Sequence, residues 1–481
     1  HFLYYHQIGT KNSENKIIFG QEIKRRYVSG IVSFDQQYLV VSAASSTSGN
    51  EIYVKQLNKK DAALVNVVEG FDSDYDFIDS DLDQLLFLTN DQAPNKKVVS
   101  LNGSTLTSPK WTSIISEGSS VLSVTKVRPY LFAHEMVDVR DSVKQYTYNG
   151  DFVRDVTLPY DGNVSGFSAE PGDPSIYYRL THYHIPSRIY SFDAITGQSE
   201  LYWQPDTRFQ SEKYTSEQQF VLSSDGIRIP ITIVHKKGLP LNGDMPTILY
   251  GYGGFNVSLV PRYNNFIATW LELGGAYVVA NIRGGGEYGK TWHQAGIQFN
   301  KQNVFDDFIE VAKYLIKNKY TNSNKLAISG GSNGGLLVGA VMNQAPHLFR
   351  VVLPAVGVLD MLKYHTFTAG AGWAYDYGTS ADSEEMFRYL KRYSPYHNIQ
   401  SNIAYPSVLI TASDHDDRVV PSHSYKFAAR LQQQRHRTKN PLLIRIETAA
   451  GHGAGLPMSK RLAKDADVIG FTWFELHKDN K

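Results

Sequence analysis

The stretch Leu326-Ala-Ile-Ser-Gly-Gly-Ser-Asn-Gly-Gly-Leu-Leu337 restricts the fold more than any other in this chain. A short apolar run ends at Gly330, Ser332 is central in Gly-x-Ser-x-Gly, and an apolar helical run follows from Leu336 to Met342. Strand, sharp turn and helix in that order predict a nucleophile elbow, with the serine hydroxyl lifted above the end of a parallel sheet. Glycine is needed at 330 and 334 because the turn brings strand and helix too close for side chains. The amides of the following helix favour negative charge developing beside the serine. Gly-x-Ser-x-Gly alone also occurs in surface turns, so its flanks carry the reading.

The surroundings agree. Strand-like runs at Phe220–Ser223, Ile229–His235, Thr247–Tyr250, Ala276–Ile282, Lys325–Ser329, Ser407–Thr411 and Leu442–Thr448 alternate with helical runs such as Phe305–Asn318 and His423–Gln434. That alternation predicts a doubly wound, mostly parallel sheet, an α/β-hydrolase domain over residues 221–481. Two further loops follow strands: Ser413-Asp-His-Asp-Asp-Arg-Val-Val and Ala449-Ala-Gly-His-Gly-Ala-Gly455. The order is then Ser332, an aspartate, His452, with each residue past the C-terminal end of a strand. A neutral His452 can accept the serine proton, and an aspartate fixes the imidazole tautomer. By pattern Asp414, Asp416 and Asp417 are all candidates. Asp414-His415-Asp416 is a poor metal site, because consecutive residues of a short loop rarely aim at one point.

Residues 1–205 read differently, as short runs rich in Val, Ile, Tyr and Phe. Ile52-Tyr-Val54, Val98-Val-Ser100, Gln145-Tyr-Thr147 and Ile189-Tyr-Ser191 recur every 44 to 47 residues, and each is expected to close a unit before a polar turn. Inner runs such as Gln37-Tyr-Leu-Val-Val-Ser42 and Gln84-Leu-Leu-Phe-Leu-Thr89 fall between. The period is that of a β-propeller blade, and four blades are counted, preceded by Leu3 to Gly9 as the last strand of another. A β-sandwich with accidental spacing is the competing architecture. Polar residues 206–220, centred on Gln210 to Gln218, are expected to link the two parts.

Composition excludes more than it names. The 481 residues carry a net charge of +1, so no nucleic-acid partner is implied, and no membrane-length apolar run is present. The absence of cysteine removes disulfides, thiolate metal sites and a cysteine nucleophile. Neither cofactor nor metal is expected, and the expected state is a cytoplasmic monomer. Without an initiator methionine, and starting inside a strand-like run, the chain is expected to be a fragment.

Five motifs then stand together: Tyr250-Gly-Tyr-Gly-Gly-Phe-Asn256, Arg283-Gly-Gly-Gly-Glu-Tyr-Gly289, Gly330-Gly-Ser-Asn-Gly-Gly335, Asp414-His-Asp-Asp-Arg-Val-Val-Pro421 and Ala450-Gly-His-Gly-Ala-Gly455. In this order they resemble the prolyl oligopeptidase family. The resemblance implies a serine endopeptidase cutting short proline-containing peptides after proline, with Ser332 as nucleophile, Asp416 as orienting acid and His452 as base. It implies an oxyanion hole from the Asn333 amide and the Tyr252 phenol. The proline pocket would be Phe255, Val358, Trp373, Tyr377 and Val419, with Arg418 on the carbonyl one residue upstream. Such walls pack a pyrrolidine ring and hold no carboxylate for a basic side chain.

Departures are visible too. The family propeller has seven blades, and Ala369 and Gly372 are smaller than is usual beside the tryptophan, which predicts a roomier outer subsite. Residues Gly284 to Thr291 also satisfy a P-loop pattern, and Gly284, Gly286 and Gly289 a dinucleotide fingerprint. A phosphate cradle needs a helix starting at Lys290-Thr291, whereas the clear helical pattern begins near Asn303. A related oligopeptidase or esterase of other specificity, and an inert propeller-hydrolase binding protein, are the remaining alternatives.

Overall fold

The computed structural model describes residues 1–169, 175–453 and 455–478. Four antiparallel four-stranded sheets follow one another over residues 27–68, 75–115, 121–156 and 163–203. A hairpin of Leu3–Tyr5 with Lys16–Phe19 precedes them. The recurring triplets all fall on the third strand of a sheet: Glu51–Gln56, Lys97–Asn102, Arg140–Thr147 and Arg188–Asp193. They do not close a unit, as the spacing alone implied, because an outer fourth strand follows each one. For the same reason Leu3–Tyr5, which pairs with a later strand, is not the last of its unit.

Inner strands of the first three sheets are apolar at consecutive positions because each of these sheets is covered on both faces. Leu85 and Phe87 pack toward the first sheet, while Leu86 and Leu88 pack toward the third. Such a strand reads as an unbroken apolar run rather than an alternation. The third and fourth sheets meet over Phe132 and Phe167, stacked 4.1 Å apart. Four sheets leave the propeller open, with Ile31 and Val32 exposed on the first and Leu201, Tyr202 and Trp203 on the last.

One eight-stranded sheet follows, built from β1 (Tyr214–Leu222), β2 (Arg228–Lys236), β3 (Thr247–Gly251), β4 (Ala276–Ala280), β5 (Leu326–Gly331), β6 (Val351–Ala355), β7 (Ser407–Ser413) and β8 (Leu442–Glu447). Their order is β1-β2-β4-β3-β5-β6-β7-β8, with β1 and β2 antiparallel to their neighbours and β3 to β8 parallel. Helices Lys301–Lys317, Asn333–Gln344 and Ser422–Gln432 cover one face, and Asn265–Glu272 and Met458–His477 the other. Side chains of β5 alternate between the two cores, Ile328 to the first and Ala327 to the second.

Two elements differ from expectation. β1 starts at Tyr214, inside the stretch read as a linker. It pairs on one side only, so polar residues such as Thr215 and Glu217 are tolerated there, and an edge strand can look like a connection. β6 was not anticipated, because Pro354 argues against a central strand. Pro354 lies near the end of β6, opposite Gly330 in a parallel ladder, and the strand forms despite it.

Candidate active site

Ser332 occupies the crest between β5 and helix Asn333–Gln344, at φ 58° and ψ −117°. A non-glycine residue there carries strain on the order of 1–3 kcal/mol. The neighbours impose it: a Cβ at Gly330 would lie 2.3 Å from the Gly334 carbonyl oxygen, and one at Gly334 2.7 Å from that of Gly251. The Ser332 amide donates to Ala355 O at 2.8 Å, and its carbonyl accepts from Gly335 and Leu336. The crest is thus held from β6 on one side and from its own helix on the other.

The three aspartates after β7 are separated by the fold. Asp416 is 3 % exposed. Its Oδ1 accepts the amides of Arg418 (3.0 Å) and Val419 (2.8 Å), and its Oδ2 lies 2.6 Å from His452 Nδ1. Asp414 instead pairs with His415 Nδ1 at 2.6 Å, and that hydrogen bond holds its carboxyl down at about 2. Asp417 is exposed. The loop bearing His452 is stitched to the aspartate loop by His415 N–H to Ala450 O (3.0 Å) and Asp414 N–H to Glu447 O (3.1 Å). Ala454 of its motif lies outside the described residues.

The structure therefore joins Asp416 to His452, but among the described residues no hydrogen bond joins His452 to Ser332. Bonds of this kind are often long without substrate and tighten around it. Tyr252 follows β3, and burial pushes its phenol up to about 12, against the opposing pull of Arg418. It stays protonated at neutral pH and can donate. Asn333 opens the helix, where first-turn amides lack an intrahelical acceptor. Tyr252→Phe is expected to lower kcat roughly 10²–10³-fold, the cost of one oxyanion donor. Steady-state kinetics on a short peptide checks this, and an unchanged kcat removes the phenol from that role.

A cavity of about 450 Å³ opens beside Ser332, and Tyr252, Phe255, Val358, Trp373, Tyr377 and Arg418 line it. Phe255 and Tyr377 meet edge to face at 5.4 Å, and Trp373 lies parallel to Tyr364 at 6.1 Å. Val419 is not on the wall. It is buried in the same core cluster as Val358 and Trp373, and its amide serves Asp416. Sequence reasoning missed the contribution of the first propeller sheet: Tyr27, Ala44, Ser46 and Thr47 complete the cavity. Ser46 Oγ donates to Gly372 O (3.0 Å) and Thr47 Oγ1 to Asp376 Oδ2 (2.9 Å). The room expected beside Gly372 is filled, since a Cβ there would sit 2.2 Å from the Tyr27 hydroxyl. Nothing in the small-residue run around Thr47 distinguishes it from an ordinary turn.

Residues 261–478 match the prolyl oligopeptidase family, and residues 1–205 match the prolyl oligopeptidase N-terminal beta-propeller domain. A prolyl endopeptidase of Elizabethkingia meningoseptica is 50% identical over 480 residues, covering 99% of this chain and 67% of that protein. The chain belongs to the prolyl oligopeptidase family. A prolyl endopeptidase of Dictyostelium discoideum is 38% identical, over 98% of this chain and 65% of that protein. Among solved structures, a mutant of prolyl oligopeptidase B from Galerina marginata, bound to a 35mer hydrolysis and macrocyclization substrate, superposes with a TM-score of 0.94. That structure is 32% identical, over 99% of this chain and 68% of the other. The chain spans about two thirds of the length of these relatives.

In this member of the prolyl oligopeptidase family the P-loop-like stretch serves the Tyr252 turn. A short helix, Gly289–Gln294, does begin where a phosphate cradle would need it, contrary to expectation. Its amides are already used, however: Gly289 N–H donates to Gly286 O and Lys290 N–H to Pro94 O. Lys290 Nζ donates to Ser48 Oγ at 2.6 Å, and Arg283 is locked onto buried Asp307. Gly284 and Gly286 let the loop approach the Tyr252 turn, since Cβ atoms there would fall 2.7 Å from Gly253 O and 2.5 Å from Asn256 O. No group of three or more potential metal ligands gathers among the described residues, and no helix there is long and apolar enough to cross a membrane.

Proposed function

We propose that this chain is a serine endopeptidase that cleaves short peptides on the carboxyl side of proline through an acyl-enzyme intermediate. Ser332 attacks the scissile carbonyl, His452 takes its proton and returns it to the leaving amine, and Asp416 holds the imidazole tautomer. The Tyr252 phenol and the Asn333 amide receive the oxyanion. The observation that carries the specificity is the cavity beside Ser332. Its walls are mostly apolar or aromatic, and its one charged side chain is the cation Arg418. A pyrrolidine ring packs against such walls, while a substrate arginine would be buried unpaired next to a like charge. Arg418 is left to the carbonyl one residue upstream.

Within this reading residues 221–481 form the catalytic unit and 1–205 the propeller, with 206–220 joining them except where β1 has already begun. A cytoplasmic compartment fits a chain without cysteine.

The test compares a Gly-Pro fluorogenic peptide with its Gly-Arg analogue, at matched concentrations of active serine counted by fluorophosphonate titration of a parallel sample. The proline substrate is expected to show kcat/KM higher by about 10³-fold. A preference for arginine or alanine before the scissile bond would mark an oligopeptidase or esterase of other specificity. The open ring of four sheets favours a second reading, a hydrolase unit that binds without turning over. Fluorophosphonate labelling separates the two, because only an activated serine reacts.

A further inference from the structure

Lys301 opens helix Lys301–Lys317, where a lysine is ordinarily solvated, yet it is 1% exposed. Its Nζ donates to Gly253 O at 2.7 Å and to Asn333 Oδ1 at 3.1 Å, and lies 5.5 Å from the centre of the Tyr377 ring. No carboxylate pairs with it directly among the described residues. Burial holds the ammonium down at about 8, with Asp376 pulling the other way. A charge kept in so dry a place has to be explained by what it bonds.

One of its partners, Asn333, carries an oxyanion donor, and the other acceptor belongs to Gly253, the residue after Tyr252. Asn333 Oδ1 also accepts from the Tyr377 hydroxyl at 2.8 Å, while Asn333 Nδ2 donates to Tyr252 O at 2.5 Å. An ammonium only donates and a carbonyl only accepts, so the Asn333 amide has one orientation. Through that amide the backbone of Tyr252 is tied to the residue after the nucleophile, and both are tied to the cavity wall at Tyr377. The second lysine bond holds Gly253, next to Tyr252, at a φ of 63°.

We propose that Lys301 is a positioning residue for the oxyanion site, fixing the Tyr252 phenol relative to the Asn333 backbone amide without touching substrate. The inference rests on reading those two groups as the oxyanion donors. An ammonium is needed because two acceptors, Gly253 O and Asn333 Oδ1, converge there with the Tyr377 ring face. An apolar side chain would leave the Gly253 carbonyl without its partner and the Asn333 oxygen with the Tyr377 hydroxyl alone.

Lys301→Met keeps the length of the stem and removes every donor. Per fluorophosphonate-titrated serine, kcat on the Gly-Pro peptide is expected to fall about 10- to 100-fold, with KM within about threefold. The second-order rate of fluorophosphonate labelling, which also builds charge on a tetrahedral oxygen, is expected to fall in parallel. In a Tyr252→Phe background the methionine effect should shrink, because the phenol being positioned is gone. A lysine that only supports the fold would lower the yield of labelled protein and leave kcat per site and the labelling rate intact, and that result overturns the inference. If the methionine variant does not fold, Lys301→Gln, which keeps a single donor, is measured and judged by the same ratios. A wild-type chain that labels but ignores Gly-Pro peptides defeats the proline specificity alone, and the labelling rates still decide on Lys301.

Discussion

Ser332→Ala is expected to abolish turnover of the Gly-Pro peptide, with kcat falling about 10⁶-fold. What remains should be the ~10³–10⁴-fold advantage over water that a site keeps when only its triad is broken. The argument is positional. Ser332 stands at the end of β5, beside the cavity, with Tyr252 on the same wall. No other hydroxyl on that wall lies at a helix start with its backbone forced into the left-handed region. Alanine retains that backbone conformation, so thermal stability should barely move while fluorophosphonate labelling disappears. Activity close to wild type would remove the mechanism, because Ser332 could then not be the attacking group.

Much of this was legible in the sequence for identifiable reasons. The elbow was readable because Gly330 and Gly334 bracket one serine where close approach excludes any Cβ, a constraint that acts over five residues. The blades were readable because the inner strands of the first three sheets are covered on both faces, so apolar runs recur with the period of the repeat. Their place within each sheet was not, since periodicity fixes a spacing and no origin. β6 was hidden by Pro354, and the start of β1 by polarity that belongs to any sheet edge. Ser46, Thr47 and Tyr27 reach the site from more than 200 residues away, and no local pattern encodes that distance. Lys301 was invisible for the opposite reason: lysine at a helix start is what a solvated helix shows, and only tertiary burial makes it unusual.

The choice among the three aspartates could not be made from spacing, and it yields the second large expected effect. Asp416→Asn is expected to lower kcat about 10⁴-fold, whereas Asp417→Asn should leave it within about twofold of wild type. The reason lies in what surrounds the carboxylate. Oδ1 of Asp416 accepts two backbone amides, from Arg418 and Val419. An asparagine must keep its carbonyl oxygen there, so its NH₂ group is forced toward His452 Nδ1, which sits 2.6 Å from Oδ2 in the native chain. That nitrogen must then accept rather than donate, which places the ring proton on Nε2. Nε2 is the atom required to receive the serine proton, so the imidazole is held in the tautomer that cannot act as base. The scaffold itself would remain, because both amide bonds to Oδ1 survive, and the variant should still bind a proline peptide with near-native affinity. Asp417 is exposed and makes neither contact, so its amide should be silent. Parallel kcat and binding measurements on the two variants decide the matter, and the reverse order of effects would assign the orienting role to the wrong residue of the loop.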